Sequence, residues 1–359
     1  MSEQVAIFTY GQPVNPSILK QRTATRIERL VISLFLFVFP LASPAYYLLY
    51  LMYFMLIMPA IGISITLAEK IKLVRAETIG TNRFRFARLC SHLIIPGLIV
   101  FAGVVNSHQP RVKDISIELP RKLSTIKELR IVFASDFHLD PVNDQVLDKF
   151  VAEANALHPD IVLIGGDLQD MGSDVNLNKL KTQFCRLRAR YGVYAVRGNH
   201  DEIRAIHPDF FAASGIRLLE DSVEKIDNAF YLAGRQDVDL AVRKPIGDLL
   251  KAASDDLPLI VLDHQPTDFE NVCRSRADLE LSGHTHNGQL FPANLLIMPL
   301  QYELAHGVKV KRNTMFMVSS GVHFGFPPIN TQGFSEILYI RVHFRPDIRT
   351  PKLLGAGQS

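Results

Sequence analysis

The chain has 359 residues, is 48% hydrophobic and 21% charged, and contains no tryptophan. That length allows a full core without staples, in one large domain or two smaller ones, and the composition excludes collagen, low-complexity coil and disulfide-dense mini-proteins. The net charge of +3 hides an asymmetry. Residues 1–113 hold 12 Lys and Arg against 4 Asp and Glu, whereas residues 114–359 hold 27 against 32. An acidic larger part argues against a general nucleic-acid surface, where a basic patch is expected. Cys90, Cys185 and Cys273 form no CxxC and no even framework, so neither a disulfide scaffold nor a cysteine zinc site is indicated.

In chain order, the first hundred residues read as membrane. Leu30 to Ala68 is a run of 39 residues without Asp, Glu, Lys, Arg or His. One spanning helix needs about 20 apolar residues, so the run is long enough for two. Pro40 and Pro44 flank Leu41, Ala42 and Ser43 and predict a turn there. The expectation is a helical hairpin with spans near 25–42 and 45–67, and with Tyr46, Tyr47, Tyr50 and Tyr53 as an aromatic belt. A third apolar segment, 89–107, holds His92, Pro96 and Gly97; it reads as a further span, or as a buried or membrane-surface helix. A cleaved signal peptide fits poorly, because the run starts late and is too long.

Basic residues set the expected orientation. Lys20, Arg22, Arg26 and Arg29 precede the first span, and Lys70, Lys72, Arg75, Arg83, Arg85 and Arg88 follow the second. Positive-inside reasoning puts both groups in the cytoplasm. A third span then carries the rest of the chain outside. If the third segment only lies on the membrane, the rest stays cytoplasmic.

From Asp114 onward, short apolar runs end in polar loops. Strands are predicted at 129–135, 160–165, 192–197, 229–233, 257–262, 279–282, 315–319 and 336–343, with helices at 146–156 and 177–190. The first half reads as βαβαβ with parallel pairing, the second as a mixed sheet or two stacked sheets. Residues 346–359 read as a polar tail.

Five of these strand ends carry one kind of chemistry: Asp136-Phe137-His138, Gly166-Asp167-Leu168-Gln169-Asp170, Gly198-Asn199-His200-Asp201, Asp263-His264 and Gly283-His284-Thr285-His286. Ligands in α/β sheets gather beyond the carboxyl ends of strands. Residues two apart in extended chain share a face, which would pair Asp136 with His138 and His284 with His286. Imidazole and carboxylate suit Zn, Mn and Fe, and one carboxylate can bridge two metals. Glycines before Asp167, Asn199 and His284 let the backbone turn. Each piece occurs by chance in many proteins; the five in one order, each after a strand, point to a metal site.

These motifs together resemble the signature of the calcineurin-like metallophosphoesterases, over roughly residues 128–344. VYAVRGNHD, GHTHNGQ and SSGVHFGFPP resemble the bacterial membrane-associated, phosphodiesterase-like branch, which is related to hydrolases of UDP-diacylglucosamine in lipid A synthesis. Asn287 stands where that branch usually has glycine, and Ile329-Asn330 where an arginine is common.

The resemblance implies an α/β (α+β) fold: a two-layer β-sandwich flanked by helices over 114–345, preceded by a transmembrane region over 1–110. It implies two divalent metals, Mn, Fe or Zn. One would be held by Asp136, His138, Asp167 and His286, the other by Asp167, Asn199, His264 and His284, with a hydroxide between them as nucleophile. His200 would be the acid for the leaving group, kept protonated by Asp170; alternatively Asp170 caps a helix. Arg197 could contact a phosphate oxygen or pair with a surface carboxylate, and His323 could line the pocket or lie on the surface. Lys179, Lys181, Arg186, Arg188 and Arg190 read as one solvated helix side, or one resting on anionic lipid.

The function expected is a phosphohydrolase of the bacterial inner membrane, multi-pass, with its catalytic domain on the periplasmic side. It would cleave a phosphodiester or pyrophosphate of a lipid-linked or envelope substrate, with the bilayer as partner and no nucleic acid. The alternatives are a cytoplasmic-facing UDP-2,3-diacylglucosamine pyrophosphatase and a non-catalytic membrane scaffold.

Overall fold

A computed structural model describes residues 44–140, 145–170, 176–203, 206–240, 243–325 and 327–358. The expected first span near 25–42, its preceding basic residues and the turn before Pro44 lie outside the described residues. The chain divides into two compact units, 1–100 and 101–359.

In the first unit, α1 (Pro44–Lys70) and α2 (Asn82–Ser107) are each long and apolar enough to cross a membrane. At 1.5 Å per residue each is roughly 40 Å long. Pro59 and Pro96 sit inside these helices without ending them, although interior proline removes a backbone donor. Exposed Met55, Ile63, Ile94 and Leu98 form apolar outer surfaces. The tyrosine row differs from the expected belt. Tyr50 and Tyr53 are buried, and the Tyr50 hydroxyl donates to the Leu93 carbonyl at 3.1 Å. The unit boundary falls inside α2, so Phe101–Ser107 belong to the second unit.

The second unit is built on two sheets. In the first, the order is β13-β1-β12-β2-β3-β4-β5, comprising β1 (Arg111–Pro120), β2 (Glu128–Ala134), β3 (Ile161–Ile164), β4 (Val193–Ala195), β5 (Ile216–Leu218), β12 (Glu336–Arg345) and β13 (Lys352–Gln358). In the second, the order is β10-β11-β9-β8-β7-β6, comprising β6 (Ser222–Ile226), β7 (Phe230–Gly234), β8 (Leu259–Leu262), β9 (Leu279–Ser282), β10 (Gly307–Lys311) and β11 (Thr314–Val318). β2, β3, β4 and β5 run parallel in the first sheet, and β7, β8, β9 and β11 in the second.

Side chains alternate across each strand. Ile131 and Phe133 of β2, Leu163 of β3, Ile260 of β8 and Leu279 of β9 meet between the sheets. Val132 and Val162 face the opposite way, onto α3 (Gln145–Ala156) and α4 (Leu177–Phe184), through Phe150 and Leu180. The outer face of the second sheet carries a third cluster around Leu259, Val261 and Phe316. Strands buried on both faces read as unbroken apolar runs, which is why IVLI and LIVL are legible as strands. The result is the expected two-layer sandwich flanked by helices.

Two expectations differ. The residues read as a tail carry β13, antiparallel to β1; Leu353 and Leu354 are exposed, so main-chain bonds to an open strand edge hold it, not a core pattern. The helix expected to reach Arg190 ends at Phe184. Arg186 instead pairs with Asp148 at 2.8 Å, and Arg190 stacks over Tyr191, so the five basic residues do not share one helix side.

Candidate metal centre

The loops after β2, β3, β4, β8 and β9 converge at one end of the sandwich. Their backbone is not extended. Asp136, His138, Asp167, His284 and His286 all have φ between 42° and 69°, the left-handed region that non-glycine residues rarely enter. Strand alternation therefore pairs neither Asp136 with His138 nor His284 with His286, contrary to expectation: a tight turn brings the first two together, and the second two fall in different donor groups. Such residues cost about 1–3 kcal/mol each and persist where surroundings over-determine them. Here the Asp136 N–H donates to Gly166 O at 2.9 Å, and the N–H groups of Phe137 and His138 both donate to Asp167 O at 2.8 and 3.0 Å.

The glycines serve different ends. Gly166 turns the chain at φ 95°. Gly198 and Gly283 admit close approach instead: a Cβ on Gly198 would lie 2.1 Å from Asp167 Oδ1, and one on Gly283 2.2 Å from Asp136 Oδ2.

Among the described residues three groups of donor atoms result. Asp136, His138 and His286 form the first, Asp167, His264 and His284 the second, and His138, Asp170 and His200 a third that shares His138 with the first, with the atoms of each group within 4.8 Å of one another. In the first, His138 Nε2 and His286 Nε2 are 3.1 Å apart, and they lie 3.9 and 3.8 Å from Asp136 Oδ1. In the second, His264 Nε2 is 3.2 Å from Asp167 Oδ2. The same Oδ2 is 3.7 Å from His138 Nε2, so Asp167 stands between the groups. Asn199 Oδ1 joins the second, 3.2 Å from His264 Nε2 and 3.0 Å from His284 Nδ1.

A second layer orients these rings. His264 Nδ1 bonds Gly165 O at 2.7 Å. Asp170 Oδ1 lies 3.5 Å from His138 Nδ1 and 3.4 Å from His200 Nδ1, so it serves both rings. The His200 N–H donates to Asp167 Oδ1 at 2.9 Å. Asp201, the last residue of Gly198-Asn199-His200-Asp201, accepts from the N–H groups of Asp167, Leu168 and Gly198 at 2.8–3.0 Å. Burial and the Asp167 charge push its carboxyl up to about 6.

Whether these residues fit metal can be judged from their charges. Asp136 and Asp167 are buried, and among the described residues their ion-pair partners are histidines, not Lys or Arg. Buried carboxylates need cations. Burial opposes charge on Asp167, but His264 outweighs it and holds the carboxyl well below its usual range. Burial likewise opposes charge on His264, yet Asp167 raises it well above the ordinary histidine value. Burial pushes His284 and His286 down to about 4, leaving neutral rings with lone pairs. The two buried carboxylates demand positive charge, which divalent cations would supply in place of a proton on His264, and the nitrogen and oxygen donors suit Mn, Fe or Zn. The residues present fit metal.

The remaining candidates separate. Arg197 turns from the site: it pairs with Glu220 at 3.0 Å and donates to Ile206 O at 2.8 Å. His323 is buried, not on the surface. Its N–H donates to Asp136 O at 3.0 Å, and its ring meets His108 edge-on at 5.0 Å. Ile329 packs at Gly103, and Asn330 Oδ1 accepts from the N–H groups of Gln332 and Gly333, so the Ile329-Asn330 departure forms a turn. One arrangement escaped the sequence: buried Arg235 and half-buried Arg243 both pair with Asp263, next to His264. Arg235 follows β7 and Asp263 follows β8; nothing in their spacing signals the pairing.

A family model described as calcineurin-like phosphoesterase matches residues 129–288, which include every donor named above. A zebrafish (Danio rerio) transmembrane protein with metallophosphoesterase domain is 32% identical over 284 residues, covering 74% of this chain and 64% of its own length. A metallophosphoesterase of Helicobacter pylori is 32% identical over 269 residues, covering 72% of this chain and 70% of its own. The UDP-2,3-diacylglucosamine pyrophosphatase LpxG of Chlamydia muridarum is 25% identical over 241 residues, covering 53% and 73%. The match thus spans less than two thirds of the zebrafish relative.

Proposed function

This chain belongs to the calcineurin-like phosphoesterase family, and we propose that it is a membrane-anchored, two-metal phosphohydrolase acting on a phosphodiester or pyrophosphate of a lipid-linked or envelope substrate. The observation that carries this reading is Asp167 Oδ2, set between His138 and His264. Asp136, His138, Asp167 and His286 would hold one cation, and Asp167, Asn199, His264 and His284 the other. Mn, Fe and Zn all suit these donors. Two divalent cations would supply a hydroxide nucleophile near neutral pH and offset charge on the phosphoryl oxygens.

The chain's own groups do the rest. His264 presents Nε2 because Nδ1 is bonded to Gly165 O, which fixes the ring. His200 is the proton donor to the leaving oxygen; Asp170 Oδ1, 3.4 Å from its Nδ1, orients the ring. Asp170 also steadies His138, so it couples acid and ligand.

The helices α1 and α2 would anchor the chain at the bilayer. With a further span before them, the catalytic unit would stand on the periplasmic side. A specific observation favours a second reading: the Chlamydia relative is a UDP-2,3-diacylglucosamine pyrophosphatase, and that substrate needs a cytoplasmic site.

The test is hydrolysis of an aryl phosphodiester and of UDP-2,3-diacylglucosamine by the detergent-purified chain, with Mn²⁺ and with chelator. Metal-dependent turnover of the first supports the phosphodiesterase, and of the second alone the pyrophosphatase. No turnover and no bound metal would return the scaffold reading. A reporter fused at the C-terminus tests the side: a cytoplasmic-only signal overturns the periplasmic assignment.

A further inference from the structure

Directly after the His284–His286 loop comes a stretch without charge. From Gln289 to Tyr302 there are 14 residues and no Asp, Glu, Lys, Arg or His. It forms two short helices, α6 (Ala293–Leu296) and α7 (Met298–Gln301), numbered after the helix α5 (Asn199–Ile203) that holds His200. Their apolar side chains do not enter the core. Phe291, Leu295, Leu296, Ile297 and Leu300 are all exposed, Leu300 to 85%. A run of exposed apolar side chains of this kind marks an interaction site.

Where this segment is tethered identifies what it meets. The Phe291 N–H donates to Thr331 Oγ1 at 3.0 Å, and the Thr331 N–H to Gln289 O at 3.1 Å. Gln289 Nε2 reaches Pro327 O at 3.1 Å. The same loop grips the last turns of α2: the Asn330 N–H donates to Gly103 O at 2.9 Å, and Ser107 Oγ to Pro328 O at 2.8 Å. Ser335 Oγ donates to Asn106 O at 3.1 Å. The exposed apolar segment is therefore fastened, through residues 327–331, to the end of the helix that is long and apolar enough to span. Its other end returns to the metal centre, where the Tyr302 ring lies 6.4 Å from that of His284.

We propose that α6 and α7 dock into the lipid bilayer as a second membrane contact, through Phe291, Leu295, Leu296, Ile297 and Leu300, and hold the mouth of the metal centre against the bilayer surface. The inference rests on reading α2 as a membrane helix. It deepens the lipid-substrate proposal, because a head group lying at the interface would reach His284 and His286 without leaving it.

The experiment uses the full chain in phosphatidylcholine–phosphatidylglycerol vesicles, loaded with Mn²⁺. A photoreactive diazirine residue replaces Leu296, Leu300, Phe101 or Leu123 in turn, and adducts are read by mass spectrometry. Phe101 is exposed on α2; Leu123 is exposed beyond the far end of the ten-residue β1, roughly 33 Å from its start. Lipid adducts at 296, 300 and 101, and none at 123, are the expected result. Adducts at 101 without any at 296 or 300 overturn this inference and leave the membrane reading standing. Cross-links from 296 or 300 to another copy of the chain overturn it in favour of a self-interface. Absence of lipid at 101 overturns the membrane reading and this inference with it.

Discussion

The Nε2 atoms of His138 and His286 lie 3.1 Å apart, closer to each other than either is to Asp136 Oδ1. One proton can lie between two such nitrogens, but Asp136 and Asp167 both stand beside them and both are buried. A shared divalent cation would satisfy all four groups at once, and this has a thermal consequence. Removing metal with chelator is expected to lower the melting temperature of the catalytic unit, and Mn²⁺ to restore it. Free metal at a hundred times its Kd stabilises by about 2.7 kcal/mol, or roughly 5–10 °C for a unit of this size. Calorimetry with and without chelator checks it; an unchanged melting temperature would count against a metal-loaded fold.

Asp170 and His200 are separable by measuring two quantities. His200→Ala is expected to cut kcat about 10²–10⁴-fold while metal content stays at the wild-type level, because of the three donor groups its ring belongs only to the one with His138 and Asp170, and to neither that holds Asp136 or Asp167. Asp170→Asn is expected to lower kcat and also to weaken metal binding about 10–100-fold, because it sits beside His138 as well as His200. Metal analysis alongside turnover distinguishes them. Equal metal loss in both variants would refute the assignment of His200 as the acid.

Gly198→Ala tests a contact that no side chain makes. The added Cβ would fall 2.1 Å from Asp167 Oδ1, and the carboxylate must move. Overpacking of this kind costs about 1–3 kcal/mol. Lost metal content in a folded protein is the expected outcome, read by circular dichroism and metal analysis together. Gly247→Ala, where nothing lies within 4 Å of the new Cβ, is the control that should keep its metal.

Glu336 sets a pH window. Burial opposes its charge, but His306 at 3.1 Å and Lys113 hold its carboxyl below the usual 4.5. It accepts the Ser320 N–H at 2.8 Å and so steadies the loop that reaches Asp136. A carboxyl that ionises more readily folded than unfolded stabilises fully above about 4.5, and that stability is lost as pH falls through the folded value. Glu336→Gln is expected to cost about 1–3 kcal/mol at pH 7, with the difference from wild type shrinking below pH 4.5. Denaturant melts at pH 7 and in acid check it; a pH-independent difference would show that packing, not charge, is at work.

The donor residues and the strands that carry them were legible in the sequence because each depends on a few adjacent residues. Strands buried on both faces leave unbroken apolar runs, so Ile161–Ile164 and Leu259–Leu262 are legible as strands, and the polar residues after them point to the candidate site. The long apolar stretches of α1 and α2 were equally local signals. What the sequence could not carry is contact between distant segments. Strand β13 is held by main-chain bonds to the edge of β1, more than 230 residues away, and leaves no apolar pattern. The clamp of Arg235 and Arg243 on Asp263 joins separate strand ends. The left-handed turns at Asp136, His138, Asp167, His284 and His286 are imposed by hydrogen bonds between loops, against the preference of each residue for extended backbone. Composition and local order thus determined which groups are available to the candidate metal centre. Only the packing of two sheets decided that Asp167 stands between His138 and His264, because that position is set by the separation of strands on different sheets.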